Sequence, residues 1–308
     1  MKNLIKSGSG FPARQTAGRE TEARSGGEAR NAKKKSDKVI NRILVGVLAV
    51  GICLLLYPSF SDYWNSFHQT TLVVRYAENV ADMQAEEYGQ IIGEARGYNE
   101  RLAESGIHWN LTEEEQEAYK KMLDIAGTGV MGYIRIPKIS VLLPVYHGTS
   151  TTVLQTSIGH LEQSSLPVGG EGSHCLLSGH RGLPSARLFT DLDKLVEGDT
   201  FNINVLNETL TYEVDQIRIV EPDDLTQLEI VQGKDLCTLI TCTPYGINTH
   251  RLLVRGHRVA NANGDAMVTA DAIQIRPVYV APFIAVPMLI VLLIAGEIER
   301  QRRLRGRD

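Results

Sequence analysis

Cysteine is scarce in this chain, with four in 308 residues. So few in so long a chain excludes a disulfide-built scaffold. No Gly-rich phosphate loop, H-E-x-x-H or C-x-x-C occurs, so no nucleotide, no metal and no other cofactor is expected. Internal repeats are absent, which excludes a solenoid. Charge is missing altogether from two long runs, Ile43–Phe60 and Pro277–Gly296. Each approaches the ~20 residues that cross a bilayer as a helix.

The net charge of −4 is unevenly spread. Residues 1–42 carry +7 and residues 297–308 carry +2, which leaves −13 for the residues between. Basic ends around an acidic middle point to a membrane and not to nucleic acid. Lys33, Lys34, Lys35, Lys38 and Arg42 precede the first run, and five arginines from Arg300 to Arg307 follow the second. The positive-inside rule then puts both termini in the cytoplasm and residues 61–276 outside. No A-x-A-like cleavage site follows the first run, so an uncleaved signal-anchor is expected.

Seven segments follow from this pattern. Residues 1–38 read as a disordered basic cytoplasmic tail, 39–60 as a transmembrane helix and 61–128 as a helical lead-in. Residues 129–262 read as a β-domain, 263–276 as a linker, 277–296 as a second transmembrane helix and 297–308 as a basic cytoplasmic tail. Val73, Tyr76, Val80, Met83, Tyr88, Ile91, Ala95 and Leu102 recur at helical spacing over Thr71–Glu104. Thr112 and Glu115 are placed for a capping box on a second helix. From Gly129 the pattern changes to seven or eight short β-branched or alternating runs, punctuated by Gly, Pro, Asn and Asp. That rhythm predicts a mainly β barrel or sandwich.

Three cysteines, Cys175, Cys237 and Cys242, lie in the outward part, and an odd number leaves at least one thiol free. A nucleophilic cysteine needs its thiolate, a neighbouring imidazole or cation, and an open position. Cys242 ends the run "TLITC" and precedes the turn "TPYG", which predicts a sulfur at a sheet rim. Cys175 and Cys237 sit inside apolar runs and read as small core residues. Among eight histidines, His180 in "SGHRG" leaves an apolar strand into a Gly-flanked loop. His147, His160, His174, His250 and His257 read as solvated or structural. Acyl transfer builds an oxyanion that a guanidinium can stabilise. Arg251 is the arginine nearest the turn, and Arg255 lies further down the same strand.

"TLITC" followed by "TPYGINTHRLLVRG", with "LLSGHRGLPSARLFTDLDKLVEGD" upstream, resembles the sortase family. The likeness is greatest to the pilus-assembling class C sortases and runs over Gly129–Val259, including "GYIRIPKI", "LPVYHGTS" and "VEPDD". It implies an eight-stranded sortase-type β-barrel with its site in a rim groove, on a Gram-positive cell surface. It implies that Cys242 attacks the Thr–Gly bond of an LPxTG-like sorting signal, that His180 is the acid/base, and that Arg251 serves the oxyanion or positions the substrate. The partners it implies are LPxTG-bearing pilin subunits and other surface proteins, with a pilin lysine as acceptor amine. Many class C sortases carry an Asp-Pro-aromatic lid. The matching region here, "ESGIHWNLTEEE", lacks it and offers Trp109 as a lid residue, with His108 beside it. The competing expectations are a wall-anchoring sortase, a hydrolytic cysteine peptidase and a non-catalytic adhesion domain.

Overall fold

A computed structural model describes residues 16–107, 109–261 and Gly296. They fall into two units that divide between Tyr57 and Pro58. Helix α1 (Thr16–Ala81) starts within the first unit and continues into the second. Among the described residues, Lys35–Ala81 is the one helical stretch long and apolar enough to cross a membrane, with a mean hydropathy of 2.5 over its apolar window and none of that window buried. The second apolar run lies outside the described residues except for Gly296, so the two-span expectation concerns residues not described.

Of the segment 1–38, residues 16–38 belong to the helix and residues 1–15 lie outside the described residues. Residues 16–38 are rich in Ala, Glu, Arg and Lys and hold no proline. Those are good helix formers, and extension from an existing apolar helix avoids a second nucleation cost. The single helix expected over Thr71–Glu104 is broken at Asp82–Gln84, where α1 gives way to α2 (Ala85–Ser105). The apolar stripe itself does pack: Val73, Tyr76, Val80, Ala95 and Leu102 are buried. Tyr76 pins α1 to the β-domain, since its hydroxyl donates to the Met131 carbonyl (2.9 Å) and accepts from the Leu206 N–H (2.8 Å). Asn99 does the same for α2, accepting from Leu166 N–H (2.7 Å) and donating to the Leu166 carbonyl (3.0 Å). Helix α3 (Glu113–Lys121) starts with the expected capping box, Thr112 and Glu115 each taking the other's backbone N–H.

Eight strands follow: β1 (Val130–Ile136), β2 (Val141–His147), β3 (Ile158–His160), β4 (Ser173–Ser178), β5 (Thr200–Val205), β6 (Glu208–Val220), β7 (Asp235–Thr243) and β8 (His250–Val259). They close as a barrel in the order β1-β2-β3-β4-β7-β8-β6-β5. Closure removes every free sheet edge. The pairs β2–β3 and β4–β7 are parallel and the rest antiparallel. Side chains alternate between the two faces of each strand. On β7, Cys237 and Leu239 join the main core, together with Leu252 and Val254 of β8. Ile240 and Leu253 face the other way and build a second, smaller apolar cluster with Leu176 and Leu228.

Candidate active site

The β7 burial pattern singles out one position. Six residues from Leu236 to Thr241 are buried, and Cys242 is then partly exposed. Its parity is that of Ile240, so the sulfur belongs to the outward face that carries the second apolar cluster. Cys175 and Cys237 are in-register partners on β4 and β7, and both are buried in the core. Burial pushes the Cys237 thiol well above its ordinary range, which suits an inert core residue. Cys53 is exposed on α1.

Arg251 is the Cα partner of Cys242 across the antiparallel β7–β8 pair. Directly opposed residues share a face with Cβ atoms about 4.5–5.5 Å apart. The sequence ranking of the arginines agrees with this placement. Arg255 lies opposite Thr238 and is committed to Asp215 through two bonds of 3.0 and 3.1 Å. Arg251 donates instead to the backbone carbonyls of His250 (3.1 Å) and Asn248 (3.4 Å) and makes no ion pair with the described residues. Its guanidinium keeps donors for a further acceptor.

His180 lies two residues beyond β4. The parallel β4–β7 register ends at Ser178 opposite Ile240. One step on, the Gly179 N–H donates to the Ile240 carbonyl (3.0 Å), and the Thr241 hydroxyl donates to the Gly179 carbonyl (2.7 Å). The next residue on each segment is His180 and Cys242. Only glycine fits at 179, where a Cβ would come within 2.6 Å of the Ile158 side chain and 2.7 Å of Phe189. His180 is partly exposed.

Four of the other described histidines are tied up. His160 is fully buried and bonds Tyr119 and the Ser165 carbonyl. His174 is buried between the Glu229 carbonyl and the Thr238 hydroxyl, so for both it is the structural reading that applies, not the solvated one. His147 bonds the carbonyls of Gly129 and Met122, and His250 sits 3.2 Å from Glu221. Trp109 packs on the Leu176–Leu228–Ile240–Leu253 cluster, on the face that Cys242 shares. His108 lies outside the described residues. No group of three or more metal-ligating side chains occurs among the described residues.

Residues 134–259 match the family described as Sortase, sortase domain. The solved structure of sortase C1 from Streptococcus agalactiae is 59% identical, with a TM-score of 0.61, and the match covers 62% of this chain and 100% of that one. The chain belongs to the sortase family. The structure of Clostridium perfringens sortase C with the C-terminal cell wall sorting motif is 41% identical, TM-score 0.54, with 62% of this chain and 99% of that chain covered. These structural neighbours are class C sortases. Among curated sequences, sortase D of Bacillus subtilis is 31% identical over 131 residues, which is 42% of this chain and 63% of that protein. The chain thus spans under two thirds of that relative's length.

Sequence reasoning missed what surrounds the candidate site. Leu228 and Glu229, in the β6–β7 connection, cover the outward face beside it. Arg181, Asp193, Thr243 and Tyr245 form a side-chain cluster behind it. The one available signal was that Arg181 directly follows His180 within "SGHRG".

Proposed function

We propose that this chain is a membrane-anchored cysteine transpeptidase that polymerises pilin subunits on a Gram-positive surface. The observation that carries this reading is the pairing of a partly exposed Cys242 with Arg251 in register, beside the anchored residue that precedes His180. The Cys242 thiolate attacks the threonine carbonyl carbon of an LPxTG-like signal. Arg251 donates to the oxyanion that forms. His180, protonated, gives its proton to the leaving glycine amine as the C–N bond breaks and a thioester forms. The neutral imidazole then takes a proton from an incoming lysine amine as it attacks the thioester, and the C–S bond breaks to return the Cys242 thiolate and the protonated imidazole. The cell wall sorting motif in one class C structure supports the substrate, and the pilin substrate specificity described for Streptococcus pneumoniae sortase C supports a pilin partner. Trp109 serves as a lid residue, because it occupies the apolar surface that continues from Cys242. The apolar helix near the N-terminus is the first membrane anchor and Pro277–Gly296 the second, with the barrel outside the cell.

The test incubates the full chain, in membranes or detergent, with a sorting-signal peptide and either pilin or a wall-precursor amine. A trapped Cys242 thioester and isopeptide-linked pilin are expected. Cys242→Ala is expected to lose at least about 10³-fold of activity. Consumption of the wall amine alone defeats the pilin assignment. Free acid as the main product in excess amine defeats transpeptidation, and full function in the alanine variant defeats catalysis altogether.

A further inference from the structure

The His180 segment leaves the sheet just as it comes level with Cys242. Below His180, Gly179 is fixed to Ile240 and Thr241. Above it, the chain enters the loop His180–Leu188, and the His180 carbonyl accepts the returning Phe189 N–H (3.1 Å). A second tie between this loop and β7 comes from a single side chain. The Arg181 guanidinium donates to the Thr243 hydroxyl (3.2 Å) and to Asp193 (2.5 Å). It also lies over the Tyr245 ring, 5.9 Å from the centroid. The Arg181 side chain is 9% exposed and its Asp193 partner 46%. Tyr245 in turn closes on the loop, where a Cβ on Gly182 would meet its ring at 2.9 Å.

We propose that Arg181 is a positioning residue of the reaction: it clamps the loop bearing His180 onto the residue that follows Cys242, and so sets the alignment of imidazole and thiol. The register states the reason. Residue 179 is bonded to 240 and 241 and residue 181 to 243, so 180 is brought level with 242 from both sides. A buried guanidinium is expensive unless its donors are used, and charge-assisted bonds of this kind are short and directional. The fork reaches two segments at once, which the point charge of lysine does not do. Its Nε is buried with no partner among the described residues, so the anchoring rests on the two terminal nitrogens. Releasing the clamp frees His180 on one side. A misplacement of about 1 Å at a reacting group costs up to ~10²-fold in rate.

The inference rests on the transpeptidase reading, and the experiment separates the two. The full chain is compared as wild type, Arg181→Met, Arg181→Lys, Asp193→Asn and the Arg181→Met/Asp193→Asn double variant. Tyr76→Phe, a buried change far along the chain from the loop, serves as a stability control. Three quantities are read: the single-turnover rate and KM for Cys242 acylation by a sorting-signal peptide, the pH profile of Cys242 alkylation by iodoacetamide, and the melting temperature. Arg181→Met is expected to slow saturated acylation about 10- to 100-fold with KM held within about threefold. Its alkylation profile shifts, while that of Tyr76→Phe stays with wild type. Arg181→Lys recovers part of the rate, and the double variant is no slower than Arg181→Met because the two residues act as one unit.

An unchanged rate in Arg181→Met overturns the proposal. So does a loss confined to KM, or a loss that Tyr76→Phe reproduces at equal melting temperature. Should Arg181→Met fail to fold, Asp193→Asn and Arg181→Lys decide by the same criteria. A wild-type chain that forms no acyl adduct sinks the transpeptidase reading, and the alkylation profiles still decide the role of Arg181.

Discussion

Acidification should loosen the barrel through His174, and the size of the effect follows from its surroundings. The ring is buried, with Nδ1 2.8 Å from the Glu229 carbonyl and Nε2 2.7 Å from the Thr238 hydroxyl. The neutral tautomer satisfies both: Nδ1–H donates to the carbonyl and Nε2 accepts from the hydroxyl. Burial, more than the opposing bond to Glu229, lowers its pKa from 6.5 to about 4; Arg255 lowers it further and Asp215 raises it. Above pH ~6.5 neither folded nor unfolded chain holds the proton, so the group has no effect on stability. Between ~6.5 and ~4 the unfolded chain takes the proton and the folded one does not. Stability therefore falls with falling pH by about 1.4 kcal/mol per unit, reaching roughly 3 kcal/mol at pH ~4. The assay is urea denaturation of the full chain, followed by tryptophan fluorescence, for wild type and His174→Gln. Glutamine offers an amide donor and acceptor but does not titrate. Between pH ~6.5 and ~5 the wild type should lose about 2 kcal/mol more than the variant. Carboxylate titrations are common to both and cancel. Parallel stability curves would refute the reasoning.

Arg251→Lys keeps the charge and loses the planar fork. It should lower the acylation rate by about 10²-fold while peptide binding persists, measured by single-turnover mass spectrometry; a rate within about twofold of wild type would remove Arg251 from the oxyanion. Trp109→Ala uncovers the apolar face beside Cys242. It should raise the rate of adduct formation severalfold, and an unchanged rate would make Trp109 a packing residue and not a lid.

Local pattern carried a long way in this chain. The alternation in "TLITC" and "RLLVRG" places Cys242 and Arg251 correctly on β7 and β8, because hairpin-like antiparallel pairing is read from parity and a short turn. The apolar stripe from Val73 to Leu102 and the capping box at Thr112 are likewise local signals, and both match the structure. The break at Asp82–Gln84 is not signalled, since helical periodicity runs on through it. Barrel and sandwich share one strand rhythm, and only the long-range β1–β5 and β4–β7 pairings separate them. The partners of Arg181 were invisible for the same reason. Its partners lie 12 and 62 residues away, and no spacing rule links them.

The parallel pairing of β4 with β7 has a consequence for when this chain becomes reactive. Neighbouring parallel strands need an intervening crossover, and here Gly179 and Thr241 stand 62 residues apart. Until that whole excursion has been synthesised and closed, the thiol and the imidazole belong to separate stretches of polymer. On the transpeptidase reading, an emerging polypeptide stays inert until its last strands have closed the barrel.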